Sequence, residues 1–140
     1  MSQDVVADGI NMIMNCKKAK KDSLEIKRYS NLLIEVLKIA KREGYIDYSL
    51  DEKNKVLNVK ITKLNKCQAI KPRFFVKKNT IEKYVRRYLP SRNFGVIIIS
   101  TSSGLLTHQE AIEKEIGGSL IAYFYWNDRE KEKEKNWRIY

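Results

Sequence analysis

The sequence predicts an α+β fold of two small subdomains. The N-terminal one reads α-β-α-β-β, and the C-terminal one is mainly antiparallel β with short helices. Three observations carry this. Apolar residues recur at helical spacing in two segments before residue 45. Short runs of alternating or continuous apolar residues follow, bounded by Gly, Asn, Asp, Pro and Ser. The chain has 140 residues, 43% of them hydrophobic, which suits one compact unit or two small ones sharing an interface.

Val5, Val6, Ile10, Ile13 and Met14 repeat with helical period, so residues 4 to about 18 read as an amphipathic helix. Asp4 and Asp8 near its start and Lys17 and Lys18 near its end complement the helix dipole. Lys20, Lys21 and Asp22 make a turn. Leu24 and Ile26 alternate with Glu25 and Lys27 as a short half-buried strand. Ser30 caps a second helix with Leu32, Leu33, Val36, Leu37 and Ala40 as its apolar stripe and Gly44 as its stop. Residues 45–50 and 55–61 then form a hairpin that turns at 51–54. This order makes a small sheet covered on one face by two helices.

In the second half, residues 74–77 suit a strand. Residues 80–88 suit a helix that Thr80 caps and that ends before Pro90. Residues 96–104 read V-I-I-I-S-T-S-S-G. Four β-branched residues form a buried strand, and four hydroxyls follow: Ser100, Thr101, Ser102 and Ser103. Gly104 gives the backbone a tight path. Such a stretch is either a Ser-rich turn or a row of small donors and acceptors aimed at phosphates, sugars and base edges. Thr107 and Glu110 make a capping box that starts another helix, which Gly117 and Gly118 end. Residues 119–126 are the last strand. Residues 127–140 form a tail of alternating charge with nothing to bury, finishing in Trp137, Ile139 and Tyr140.

Charge points to a polyanionic partner. The net charge is +11, and residues 60–92 carry eleven Lys and Arg against one acid, Glu82. An excess of ten in a quarter of the chain exceeds what solubility needs, which favours a phosphate-binding surface over a merely solvated face. Lys66, Lys71, Arg73, Lys77, Lys78, Arg86, Arg87 and Arg92 are the candidate phosphate contacts, with Tyr88 beside them. Cys16 and Cys67 lack metal-ligand spacing and are expected as free thiols of a reducing cytosol. No apolar run approaches the roughly 20 residues of a transmembrane helix, and the N-terminus lacks the pattern of a secretion signal.

The pattern I-S-T-S-x-G, two apolar residues, T-x-x-E-A and then G-G resembles the C-terminal signature of the eighth small-subunit ribosomal protein family, the universal one. Residues 4–15, with Asp4, Ala7, Asp8, Ile10, Ile13 and Asn15, are similar to its N-terminal helix, and Gly44, Tyr45 and Ile46 match as well. Val5 stands where the family usually has proline at the first helical position. The segments 64–74, 89–95 and 121–125 resemble the archaeal type. The likeness covers residues 4–126 and leaves the tail unexplained. It implies a structural role in the small subunit. The Ser-Thr-Ser loop would bind a helical hairpin in the central domain of small-subunit ribosomal RNA and promote its assembly. Partners would be that RNA, neighbouring small-subunit proteins and, as for several family members, the protein's own mRNA. The place implied is the cytoplasmic ribosome.

Catalysis has little support. Ser102 or Ser103 as nucleophile with His108 as base lacks a nucleophile elbow and an acidic partner motif, and His108, the sole histidine, reads as facing solvent in the capping box. Neither a P-loop nor a dinucleotide fingerprint is present. No enzyme activity, cofactor, metal or small-molecule substrate is therefore expected. Two other readings share the basic surface: a non-ribosomal RNA-binding regulator and a peripheral membrane protein. The latter needs its cations on one amphipathic helix, which Pro72 and the strand-like segments interrupt. The expected division is residues 1–62, then 63–126 carrying most RNA contacts (Ser100 to Gly104 and the cations above), then the tail 127–140.

Overall fold

The computed structural model describes residues 5–71, 73–89 and 95–126. Helix α1 (Val5–Lys18) buries Val6, Ile10 and Ile13, one face of its turn-by-turn repeat. Strand β1 (Ser23–Ile26) follows, then helix α2 (Asn31–Arg42). The Ser30 hydroxyl accepts the Leu33 N–H at 3.2 Å, so the expected cap is present. Strands β2 (Ile46–Asp51) and β3 (Val56–Ile61) complete an antiparallel sheet of order β1-β3-β2. At the hairpin turn the Asp51 carboxylate accepts the N–H groups of Lys53 and Asn54 at 3.1 and 3.2 Å. Leu57 and Val59 point to the core while Asn58 and Lys60 face out, the alternation of a one-sided sheet.

The second sheet holds β4 (Lys66–Ala69), β5 (Phe75–Val76), β6 (Val96–Thr101), β7 (Gly104–Thr107) and β8 (Gly118–Tyr125). Its path is β4-β8-β6-β7, all antiparallel, and β5 pairs with β8 beyond the end of β4. Helices α3 (Ile81–Tyr88) and α4 (His108–Lys114) complete the chain. Mixed helices and antiparallel sheets in two subdomains make this an α+β fold.

Both faces of the second sheet are used. Cys67, Val96, Ile98, Ala122 and Phe124 join one core with α1, α2 and the first sheet. Ile70, Val76, Ile97, Ile99, Leu120 and Tyr123 join another with Ile81 and Val85 of α3 and Ala111 of α4. Helix α1 therefore does more than cover its own sheet: it lies against β4 and ties the two sheets together. A register shift between Ile98 and Ile99 leaves Ile121 and Ala122 together on the α1 side.

Several expectations are corrected. Strand β4 has no counterpart in the sequence pattern, because K-C-Q-A carries one buried side chain, the small Cys67. Residues 104–107, to which the sequence pattern assigns no element before the Thr107 cap, form strand β7, with Leu105 and Leu106 paired with Ser100 and Ile99. Strand β5 is two residues long rather than four. Thr80 makes no side-chain cap; its hydroxyl donates to the Lys77 carbonyl at 2.9 Å. Helix α4 ends at Glu115, whose φ of 56° takes the left-handed role assigned to the glycine pair. His108 is not solvent-facing: it is 1% exposed, and its Nδ1 accepts the Ile97 N–H at 3.2 Å. The capping box itself is present, with Thr107 Oγ1 accepting the Glu110 N–H. Asp4, Pro72, Pro90, Arg92 and the tail 127–140 lie outside the described residues.

Candidate nucleic-acid interface

The hydroxyl stretch is a β-hairpin end, not a long loop. Ser100 and Thr101 belong to β6, and Ser102 and Ser103 form the turn before Gly104 opens β7. The Thr101 hydroxyl donates to the Gly104 carbonyl at 2.8 Å and accepts the Ser103 N–H at 3.1 Å. It is therefore occupied in shaping the turn. Gly104 has φ of +97°, and neither serine of the turn has positive φ, so the glycine supplies the left-handed step that lets the strands re-pair. Ser102 and Ser103 are exposed and Ser100 half-buried. The four hydroxyl residues thus split: Thr101 builds the turn, and Ser102 and Ser103 stand exposed at its tip.

Strand β5, with basic residues on either side of it, reaches this hairpin through β8. Ser119 pairs with Phe75 on one side and with Ser100 on the other. The glycine pair makes this close order possible. A Cβ at Gly117 would stand 2.3 Å from the Val76 carbonyl oxygen and 3.1 Å from Lys77 Cα; one at Gly118 would stand 2.3 Å from the Ser100 carbonyl oxygen. No side chain fits at either position without moving backbone. Arg73, Lys77 and Lys78, all exposed, flank this end of the sheet, and exposed Lys71 follows β4 on the same edge.

The remaining candidates form a separate group on the α3 face. Tyr88 stacks on Tyr123 with centroids 5.2 Å apart, and Tyr123 stacks on Tyr125 at 6.4 Å. Lys66 Nζ lies 6.0 Å from the Tyr123 centroid, and Arg87 lies over Tyr88 at 5.6 Å. The Tyr123 hydroxyl donates to Gln68 Oε1 at 2.9 Å, tying β8 to β4. Arg86 and Arg87 are exposed on α3, across the sheet from Ser100 and Phe75. The sequence reading therefore joins two groups that the fold separates, one on α3 and beside Tyr123 and one bordering β5 and the end of β4. It missed Phe75, Ser119 and Tyr123. Period-two alternation around Phe74 and Val76, both turned to the α3 side, is the signal that would have put Phe75 outside.

Two thiols remain free, Cys16 half-buried and Cys67 buried. Burial pushes the Cys67 thiol up to about 12, and its Sγ–H faces the Ile10 carbonyl at 3.7 Å. Among the described residues no group of three or more His, Cys, Asp or Glu is arranged to hold a metal. None of the described helices is long and apolar enough to cross a membrane.

Fold and surface together define a class: a small, basic α+β protein with a hydroxyl-bearing sheet end bordered by exposed cations. Residues 4–125 match the family model of Ribosomal protein S8. The chain is also 44% identical, over 129 residues, to the small ribosomal subunit protein uS8 of the archaeon Nanoarchaeum equitans (strain Kin4-M), a match covering 89% of this chain and all of that relative. The chain belongs to the ribosomal protein S8 family, and its place is in the small ribosomal subunit. That membership gives it a structural rather than a catalytic role.

Proposed function

We propose that this protein binds a helical hairpin in the central domain of small-subunit ribosomal RNA and promotes folding of that domain during assembly. The observation that carries the reading is the junction at Gly117 and Gly118, where β5, bordered by Arg73, Lys77 and Lys78, and a hydroxyl hairpin flank one strand. Long cations there neutralise phosphates, and small hydroxyls reach sugars and base edges that a long side chain cannot enter. In this reading residues 63–126 carry most RNA contacts, residues 1–62 brace them, and neighbouring small-subunit proteins complete the surroundings. An RNA copy of the same hairpin in the protein's own mRNA would occupy the same surface.

The test is the salt dependence of binding to a transcribed central-domain hairpin. Each phosphate contact contributes roughly 0.7–0.9 to the slope of log K against log salt. The double variants K77A/K78A and R86A/R87A should each flatten that slope by more than one unit. A slope unchanged by the first pair removes the β5 edge from the interface; a slope unchanged by the second removes α3. Wild-type binding with no preference for the hairpin over a scrambled duplex contradicts the function itself.

A further inference from the structure

We propose that Phe75, Ser119 and Ser100 form a reading row for one unstacked nucleobase, with Phe75 as its stacking platform; this rests on the RNA-binding reading above and deepens it. Phe75 is 69% exposed, while Phe74 and Val76 beside it pack inward. Such exposure of a phenyl ring is costly in water unless something covers it. Register places Phe75 opposite Ser119, Ser119 opposite Ser100, and Ser100 opposite Leu105. Directly paired residues of an antiparallel sheet share a face, so these four side chains form one line across the strands.

That line lies on the α1 side of the sheet, beyond the stretch that α1 covers. Cys67, Val96, Ile98 and Phe124 on the same face are buried, whereas Ser100, Ser119 and Leu105 are only half-buried and Phe75 is open. The face thus runs from an apolar end buried by the protein, through Leu105, which packs on that core, and half-buried Ser100 and Ser119, to Phe75, which is open. At a strand spacing of about 4.8 Å, the Phe75 backbone stands about 10 Å from that of Ser100. A base laid against the ring spans that gap with its edge over two hydroxyls, each able to donate or accept.

Charge selects the occupant. No Asp or Glu occurs between Glu52 and Glu82, and Lys77 and Lys78 follow Phe75 closely in sequence and are exposed. An apolar platform set among cations suits a nucleotide, whose base stacks while its phosphate is neutralised. It suits an apolar protein segment poorly, because such a segment would bury cations without pairing them.

The experiment measures affinity of the full chain for the transcribed central-domain hairpin at two salt concentrations. The variants are F75A, F75L, F75W and S119A. F75A and F75L should lose roughly ten- to a hundredfold in affinity, with the salt slope and melting temperature unchanged. F75W should keep near-wild-type affinity and show RNA-dependent quenching of its added tryptophan above the wild-type background. S119A should lose several-fold on the natural hairpin and nothing on one whose unpaired bases are replaced by abasic residues. Full affinity in F75A while the wild type still prefers the hairpin overturns the row and leaves the function standing. Full affinity in F75L with loss in F75A assigns the ring to a simple apolar contact and also overturns it. A wild type without hairpin preference overturns both.

Discussion

Gly118 sits against the Ser100 carbonyl so closely that a Cβ there would lie 2.3 Å from the oxygen. The contact is backbone to backbone, so no rotamer change relieves it. A G118A variant must push β8 away from β6 just where the hydroxyl hairpin begins. Overpacking of this kind costs about 1–3 kcal/mol. A melting curve should show that loss, and hairpin affinity should fall with it. An unchanged melting temperature would mean that the two strands are not held as described.

The thiols give an independent check of the core. Native protein should react with a thiol reagent at Cys16 and resist at Cys67, and both should react after denaturation. Cys67 has its pKa raised to about 12 by burial, and Tyr45 is raised to about 12 by burial and then by the nearby Glu43 carboxylate. A group raised in the folded state favours folding below its unfolded value and loses that advantage as pH climbs toward the folded one. Stability should therefore decline from about pH 9 to pH 12. C67A should make the decline shallower, measured by urea unfolding along that range.

Arg42 of α2 pairs with Glu110 of α4, joining the two halves of the chain at the capping box. Burial pushes the Glu110 carboxyl up, but hydrogen bonds from Arg42, the Arg42 charge and the Thr107 hydroxyl and N–H bring it below the usual carboxylate range. A depressed acid stabilises the fold above its unfolded pKa and ceases to do so as pH falls through the folded value. R42A should cost under about 1 kcal/mol at neutral pH, as partly exposed pairs do, and that difference from wild type should shrink below pH 4. Unfolding midpoints at pH 7 and pH 3.5 measure both.

Thr101 and Ser102 separate building from reading. T101V removes the hydroxyl that holds the Gly104 carbonyl and the Ser103 N–H. It should cost about 1 kcal/mol of stability, which S102A should not, and lower affinity for the hairpin more than for scrambled RNA, because the turn that presents Ser102 and Ser103 loosens. Thermal unfolding beside binding to both RNAs reads this.

The first half of the fold was legible because each signal there is local. The helical stripe of Leu33, Val36, Leu37 and Ala40, the Ser30 cap and the alternation at 55–61 each need only their own neighbours. The second half depends on partners distant in sequence. Lys66–Ala69 becomes a strand because residues 122–125 lie beside it, and residues 104–107 become one because the hairpin folds back on β6. Glycines 117 and 118 were read through local turn chemistry, whereas their reason is the backbone packed on each side of them. The same holds for the site. Its residue types are visible in the sequence, but the line from Phe75 to Ser100 follows from strand register alone.

The central claim is that the hydroxyl hairpin carries recognition while the cations carry affinity. S102A tests it most directly, because Ser102 is exposed at the tip of the turn and its loss removes no charge. Binding of wild type and S102A to the central-domain hairpin and to a scrambled duplex should be measured at two salt concentrations. The account predicts a loss on the order of 1–3 kcal/mol on the hairpin and far less on the scrambled duplex, with the salt slope unchanged. Equal losses on both RNAs, or none on either, would contradict it.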